Sequence, residues 1–264
     1  ENGILINGQR VTTRGVLHAG DSLVFNMPND RTQKVVPAEG PVSIVFENED
    51  IVLVNKPAGL VIHPCHGHYS DTLLSYLAWY YRLLPEQPLL CPIGRLDKDT
   101  SGLLVVAKND AAHQSLAAQI AAHTAYRGYE AIVVGSVKDD TGTVDKPIAR
   151  HKTDRKKMAI VEGGRDAITH YTVIKRYNGY TYMAFQLETG RTHQIRVHMA
   201  SIGHPIIGDP VYGLKKDRFS NIGGQCLHAA KLTLTHPKTG ERMEFSASLP
   251  QYFTEVLDKL ERMQ

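Results

Sequence analysis

The sequence predicts an α+β fold: a mixed, mainly antiparallel central sheet flanked by helices and loops. Three observations carry this reading. Short β-rich runs outnumber the segments of helical period. Several of these runs pair across turn residues, Asn178-Gly179 and His236-Pro237-Lys238-Thr239-Gly240 among them. Strands and helices do not alternate one for one, as a doubly wound parallel sheet requires.

Gly3 to Ile6 reads as a strand entering an Asn7-Gly8 turn. Val16 to Asp21 reads as a turn, and Ser22 to Asn26 as another strand. Met27 to Gly40 contains Pro28, Asn29, Asp30 and Pro37, has little apolar pattern, and reads as a linker. A boundary near residue 40 divides the chain into 1–40 and 41–264. Ser43 to Glu47 and Ile51 to Asn55 are strands around a turn at Asn48-Glu49-Asp50. Thr72 to Leu84 carries Leu73, Leu74, Leu77, Ala78, Tyr81 and Leu84 at helical spacing, with Asp71 as N-cap and Pro85 as terminator. Leu103 to Ala107 is an apolar run with the character of a buried strand. Asp110 to His123 follows as a helix and Tyr126 to Val137 as a long strand. Strands at Lys157 to Val161, Ala167 to Arg176 and Tyr180 to Glu188 come next. Arg191 to Ile202 reads as a helix. Leu227 to Thr235 and Arg242 to Ala247 are the last strands, and Pro250 to Met263 closes the chain as a helix with Phe253, Val256, Leu257 and Leu260 on one face.

A chain of 264 residues with 42% hydrophobic and 22% charged content can bury a core without staples. No apolar run approaches the ~18 residues of a membrane span. No signal peptide opens the chain, and Glu1 rather than Met at its start is read as a sign that something upstream is missing. Three scattered cysteines, Cys65, Cys91 and Cys226, with no CxxC spacing, point to a reducing cytoplasm. A net charge of +3 permits a nucleic-acid partner without demanding one. His63, Cys65, His66 and His68 are dense, but no second ligand pair stands at zinc spacing, so no metal is expected. The motifs of P-loop nucleotide hydrolysis, nucleophile-elbow hydrolases and zincins do not occur.

Gly94-Arg95-Leu96-Asp97-Lys98-Asp99-Thr100-Ser101-Gly102 sets a carboxylate on a short loop before a strand. On its own it reads first as a turn with two interchangeable acids. Arg196 lies between Ile195 and Val197, so if buried it needs a carboxylate partner. The basic cluster Arg150, Lys152, Arg155, Lys156 and Lys157 reads as a solvated loop or a phosphate contact.

Together, Ile51 to Pro64, Gly94 to Gly102, Arg127 to Ala131, Leu187 to Gly213, and Leu227 to Leu232 with His236-Pro237 resemble the motifs of the RluA-type family of RNA pseudouridine synthases, in the family's order, across residues 43–259. Residues 2–26 resemble the last part of an S-four RNA-binding module whose helical beginning would precede Glu1. The resemblance implies a pseudouridine synthase fold and isomerisation of uridine in structured RNA, large-subunit ribosomal RNA before transfer RNA, with no cofactor. It implies Asp97 as the catalytic carboxylate, Arg196 as its partner and Tyr129 stacked on uracil. Lys56, Arg95 and Arg191 would sit on the groove rim and bind RNA. A monomer is the simplest expectation. A non-catalytic RNA-binding factor and a carboxylate glycoside hydrolase are the competing readings. Two positions depart from the family pattern: Gly94 stands where a His is common, and Arg127 where a Lys is.

Overall fold

The computed structural model describes residues 3–11, 18–26 and 35–263. They fall into two compact units divided at Val35/Val36. The start of the turn read at Val16 to Asp21, and most of the linker read at Met27 to Gly40, lie outside the described residues.

The first unit is a three-stranded antiparallel sheet of β1 (Gly3–Ile6), β2 (Gln9–Val11) and β3 (Leu23–Asn26), in the order β2-β1-β3. Asn7 and Gly8 both take positive φ in the β1–β2 turn, the conformation that Asn-Gly supplies at least cost.

The second unit contains β4 (Ile44–Glu47), β5 (Ile51–Lys56), α1 (Leu73–Tyr80), β6 (Cys91–Pro92), β7 (Ser101–Ala107), α2 (Asp110–Ala121), β8 (Tyr126–Val134), β9 (Thr141–Asp145), β10 (Ile148–Arg150), β11 (Met158–Ile160), β12 (Ile168–Tyr177), β13 (Tyr180–Leu187), α3 (Gln194–Ser201), β14 (Leu227–Thr235), β15 (Arg242–Ser246) and α4 (Gln251–Glu261). One sheet runs β4-β5-β7-β14-β8-β13-β12-β9, with β6 added to β7 and β15 to β14. Its pairings are antiparallel except β7 with β14. This is the mixed, mainly antiparallel sheet that the hairpin pattern predicts. β10 and β11 form a separate hairpin.

Two hydrophobic clusters cover the sheet. Met183, Phe185, Ile132, Met199 and Ile206 pack with Phe253, Val256 and Leu260 of α4, whose spacing of three and four puts them on one helical face. Ile51, Leu53, Leu103, Val105, Leu232 and Leu234 pack with Ala112 and Leu116 of α2. Each fully buried large apolar side chain contributes ~1.5–3 kcal/mol relative to exposure. β7 is buried along its whole length, because it lies between β5 and β14 inside the sheet.

The parallel start of β7 on β14 is the join that positions the loop before it. His228 pairs with Ser101 and Ala229 with Gly102. Gly102 has φ +111°, and a Cβ there would lie 2.3 Å from the Ala229 carbonyl oxygen. Gly102→Ala therefore combines a forbidden backbone region with a clash against backbone that cannot yield. Its expected cost is ~3 kcal/mol or more, read as a lower urea midpoint with unchanged slope.

Several boundaries differ from the sequence reading. Thr72, not Asp71, caps α1, its side chain accepting from the Ser75 N–H. Asp71 is instead taken by the His68 ring at 2.5 Å. α1 stops at Tyr80 and β8 at Val134, where Gly135 turns the chain with φ +84°. β9 escapes the reading because an edge strand of the pattern Thr141-Gly142-Thr143-Val144-Asp145 buries only Val144.

Candidate active site

A cavity of about 560 Å³ opens on one side of the sheet. Its walls include Gly94, Arg95, Asp97, Arg127, Tyr129, Arg191, His193 and Arg196. The sheet explains why these residues meet. Asp97 lies four residues before β7, Tyr129 sits on β8, and β14 pairs with both strands. Tyr129 is opposite Ala229 on one side and Phe185 on the other.

The Asp97 loop is anchored at several points. The Thr100 N–H donates to the Asp97 carbonyl at 3.1 Å, and Gly59 N–H to the Lys98 carbonyl at 2.9 Å. Buried Gln225 donates through Nε2 to Thr100 Oγ1 at 3.0 Å. Lys56 adds the strongest tie. Its ammonium donates to the carbonyls of Pro57 (2.8 Å), Leu60 (2.9 Å) and Lys98 (2.8 Å), which satisfies all three of its donors. Burial pushes this ammonium down to about 8, while Asp99 and Asp97 pull it back up.

Lys56 corrects the sequence reading. It is 0% exposed and not on the rim, so it is a loop anchor and not a phosphate contact. Arg95 is exposed at the cavity and donates to Thr192 Oγ1 at 2.9 Å. Arg191 lines the cavity and donates through Nε to the Asp166 carbonyl at 2.8 Å. The basic segment from Arg150 onward lies on the β10–β11 hairpin, away from the cavity wall.

Arg196 is the centre of the charge arrangement. Nε and Nη2 grip Asp209 at 2.6 and 2.8 Å, and Nη1 reaches Asp97 Oδ2 at 2.8 Å. The arginine side chain is 4% exposed, Asp209 0% and Asp97 22%. Of the two acids that Arg196 holds, Asp97 is the one that faces the cavity. Burial opposes the charge on Arg196, but Asp209 and Asp97 outweigh it and hold the group firmly protonated. Burial would also raise the Asp209 carboxyl. Arg196 and the N–H groups of Tyr212 and Val211 overcome that and hold it below the usual range.

Burial raises the Tyr129 phenol, with Asp97 adding to the effect and Arg127 opposing it. The phenol is a protonated, polarisable face at neutral pH, suited to stacking. Gly94 has φ +79° with open space where a Cβ would stand. Arg127 donates to the Glu188 carbonyl at 3.1 Å beside the cavity.

The sequence reading missed Asp209, His193 and Gln194. α3 begins at Gln194, not Arg191, because the Gln194 side chain captures the Arg191 N–H (2.9 Å) and the Thr189 hydroxyl (2.8 Å). Thr192 therefore precedes the helix and shares no helical face with Arg196. A signal for Asp209 did exist. A guanidinium has five N–H donors, so a buried Arg196 needs more than one acceptor. Among the described residues, no group of three or more His, Cys, Asp or Glu is arranged to hold a metal ion.

The cavity thus presents the Asp97 carboxylate, with the Arg196 guanidinium and the Asp209 carboxylate buried behind it. Residues 50–201 match the family model for RNA pseudouridylate synthase. The chain is 42% identical over 262 residues to a Bacillus subtilis protein called "Uncharacterized RNA pseudouridine synthase YlyB", covering 98% of this chain and 86% of that one. It is 41% identical over 268 residues to "Ribosomal large subunit pseudouridine synthase D" of Pseudomonas aeruginosa, covering 97% and 83%. Among solved structures, "Human RNA Pseudouridylate Synthase Domain Containing 1" is similar, with a TM-score of 0.67, 25% identity, and coverage of 84% of this chain and 95% of that one. The chain belongs to the RluA-type family of RNA pseudouridine synthases. It is an isomerase that converts uridine to pseudouridine in RNA.

Proposed function

We propose that Asp97 is the carboxylate that acts on the ribose and that the substrate is large-subunit ribosomal RNA. The observation that carries the first part is the 2.8 Å contact of Arg196 Nη1 with Asp97 Oδ2 at the cavity wall. It leaves Oδ1 unheld by the guanidinium. The reaction breaks the bond from N1 to C1′ and forms one from C5 to C1′. The C5 proton leaves, N1 gains one, and no electrons are exchanged, so the chemistry needs no redox group. Asp97 serves either by attack at C1′ or by taking a sugar proton towards a glycal intermediate. Tyr129 stacks on the uracil. A phenol with its proton held this firmly stacks better than it deprotonates.

The target nucleotide must leave its stack, at a cost of a few kcal/mol. Arg95 and Arg191 at the cavity offset it through phosphate contacts, with the β10–β11 hairpin as a further basic surface. Residues 1–40 fit the end of an S-four-type RNA-binding module with its linker, followed by the catalytic domain from residue 41. The protein acts as a monomer in this reading. The ribosomal substrate is favoured by the name of the Pseudomonas aeruginosa relative, which covers nearly the whole chain.

Mapping pseudouridines in ribosomal and transfer RNA tests this assignment. Cells lacking the gene should lose specific pseudouridines from the large-subunit RNA. The wild-type gene should restore them and the Asp97→Asn gene should not. Loss confined to transfer RNA would overturn the choice of substrate.

A further inference from the structure

His193 stands at the cavity in a conformation that its own backbone does not favour. Its φ of 56° and ψ of 23° are left-handed, a region that costs a side-chain-bearing residue ~1–2 kcal/mol. It gives α3 no side-chain cap in return. What the conformation does achieve is the placement of the imidazole. Nε2 lies 3.9 Å from Asp97 Oδ1, the carboxylate oxygen that Arg196 does not hold.

The other ring nitrogen fixes the tautomer. Nδ1 is 2.9 Å from the Tyr212 hydroxyl. That hydroxyl oxygen accepts the Met158 N–H at 2.8 Å, and among the described residues Nδ1 is the one acceptor within reach of its own proton. Nδ1 then accepts, and the imidazole proton is on Nε2. Tyr212 is held edge-on to His193, and the Arg196 guanidinium lies 5.2 Å over the Tyr212 ring. The charged groups facing the imidazole are Asp97, Arg196, Asp209 and Arg95. Burial outweighs the acids among them and lowers the imidazole below its ordinary value, which keeps the ring neutral at pH 7.

We propose that His193 is a positioning residue for the isomerisation: a neutral imidazole, its proton held on Nε2 by Tyr212, that donates to Oδ1 of Asp97 once the nucleotide is bound. This rests on Asp97 being the reacting carboxylate. Arg196 anchors only Oδ2, and the terminal torsion of an aspartate is broad, so one anchored oxygen leaves the carboxylate plane free to turn. A donor on the second oxygen fixes it. The separation is longer than a hydrogen bond, and contacts of this kind commonly tighten in the complex with substrate.

The test separates chemistry from backbone. Asn suits left-handed φ better than most residues, but its amide reaches only where Nδ1 lies. Gln suits that backbone less, yet its amide nitrogen reaches towards the place of Nε2. Tritium release is measured from total RNA labelled at C5 of uridine, prepared from cells lacking the gene, so that every natural substrate is present. His193→Ala and His193→Asn are expected to lower the saturating rate ~100-fold with KM nearly unchanged, the scale of losing one oriented donor. His193→Gln should recover most of that rate. Tyr212→Phe, which releases the tautomer, should lower it ~10-fold, as for a group acting one step removed. Thermal midpoints identify variants that fail to fold. A His193→Asn enzyme as fast as wild type alongside a slow His193→Gln would reduce the residue to a backbone role and overturn the proposal. So would an effect confined to KM. Asp97→Asn runs in parallel. If it turns over, the carboxylate reading falls and this one with it. If it is dead while every His193 variant is fast, this one alone falls.

Discussion

Arg196→Lys is expected to slow turnover and to destabilise the fold. Arg196 holds two carboxylates with one planar group: Nε and Nη2 on Asp209, Nη1 on Asp97. A lysine ammonium is a single point donor and cannot span both. Whichever carboxylate it chooses, the other is left without its cation. If Asp209 loses, an acid with a 0% exposed side chain is stranded, and breaking a buried pair of this kind costs ~3–5 kcal/mol. If Asp97 loses, the carboxylate proposed to act on the ribose is no longer oriented, and the rate should fall ~10²–10⁴-fold. Arg196→Met, which strands both acids, should be worse on each count. Urea unfolding and single-turnover tritium release on the same preparations separate the two losses. Wild-type stability with a slow reaction would place the effect on Asp97 alone.

Asp209→Asn should lose nearly as much activity, although Asp209 is not part of the cavity wall. Its Oδ1 accepts from the Val211 and Tyr212 N–H groups and from Arg196 Nη2, while Oδ2 accepts Arg196 Nε at 2.6 Å. An asparagine can keep its oxygen on only one of these sides. With the oxygen on the backbone N–H groups, the amide nitrogen confronts Arg196 Nε, donor against donor. The guanidinium must turn, and the Asp97 contact turns with it. The expected result is a ~100-fold lower rate at saturation, a KM within a few-fold of wild type and a lower melting temperature. A rise in KM at an unchanged rate would show that Asp209 positions RNA and not Asp97.

The clamp also has a pH signature. The Asp209 carboxyl is held below its unfolded value, so in the window between the two the unfolded chain binds more protons. The stability it contributes is complete above the ordinary aspartate range, near pH 4, and is lost as the pH falls through the lowered native value. Asp209→Asn should flatten this acid limb of the stability curve.

What could be read in the sequence follows from where its signals are local. The strand Leu227 to Thr235 and the apolar face of α4 obey simple periods, and both stand where the periods place them. Arg196 stands out because it sits among apolar neighbours, whereas the turn residues around Asp97 mark only a loop with two interchangeable acids, and the family motif alone singles out Asp97. Lys56 was misread as a rim cation because its fate depends on carbonyls of Pro57, Leu60 and Lys98, the last 42 residues away. A lysine beside Pro57-Ala58-Gly59 carries no mark of that in the chain. Asp209 sat unnoticed among helix breakers, since only the folded loop aims its oxygens at Arg196. The helical pattern runs back through His193 to Arg191, whereas the Gln194 side chain starts the helix three residues after Arg191. These misses share one cause: side chains bonding to backbone, or to acids distant in sequence, override the local pattern.

The most direct measurement is tritium release from C5-labelled uridine RNA under single-turnover conditions, comparing wild type with Asp97→Asn. The substitution keeps the size of the side chain and an oxygen for Arg196 Nη1, so RNA binding and thermal stability should change little. With Asp97 as the reacting carboxylate, release should fall at least ~10³-fold. Equal release from the two proteins would contradict that assignment.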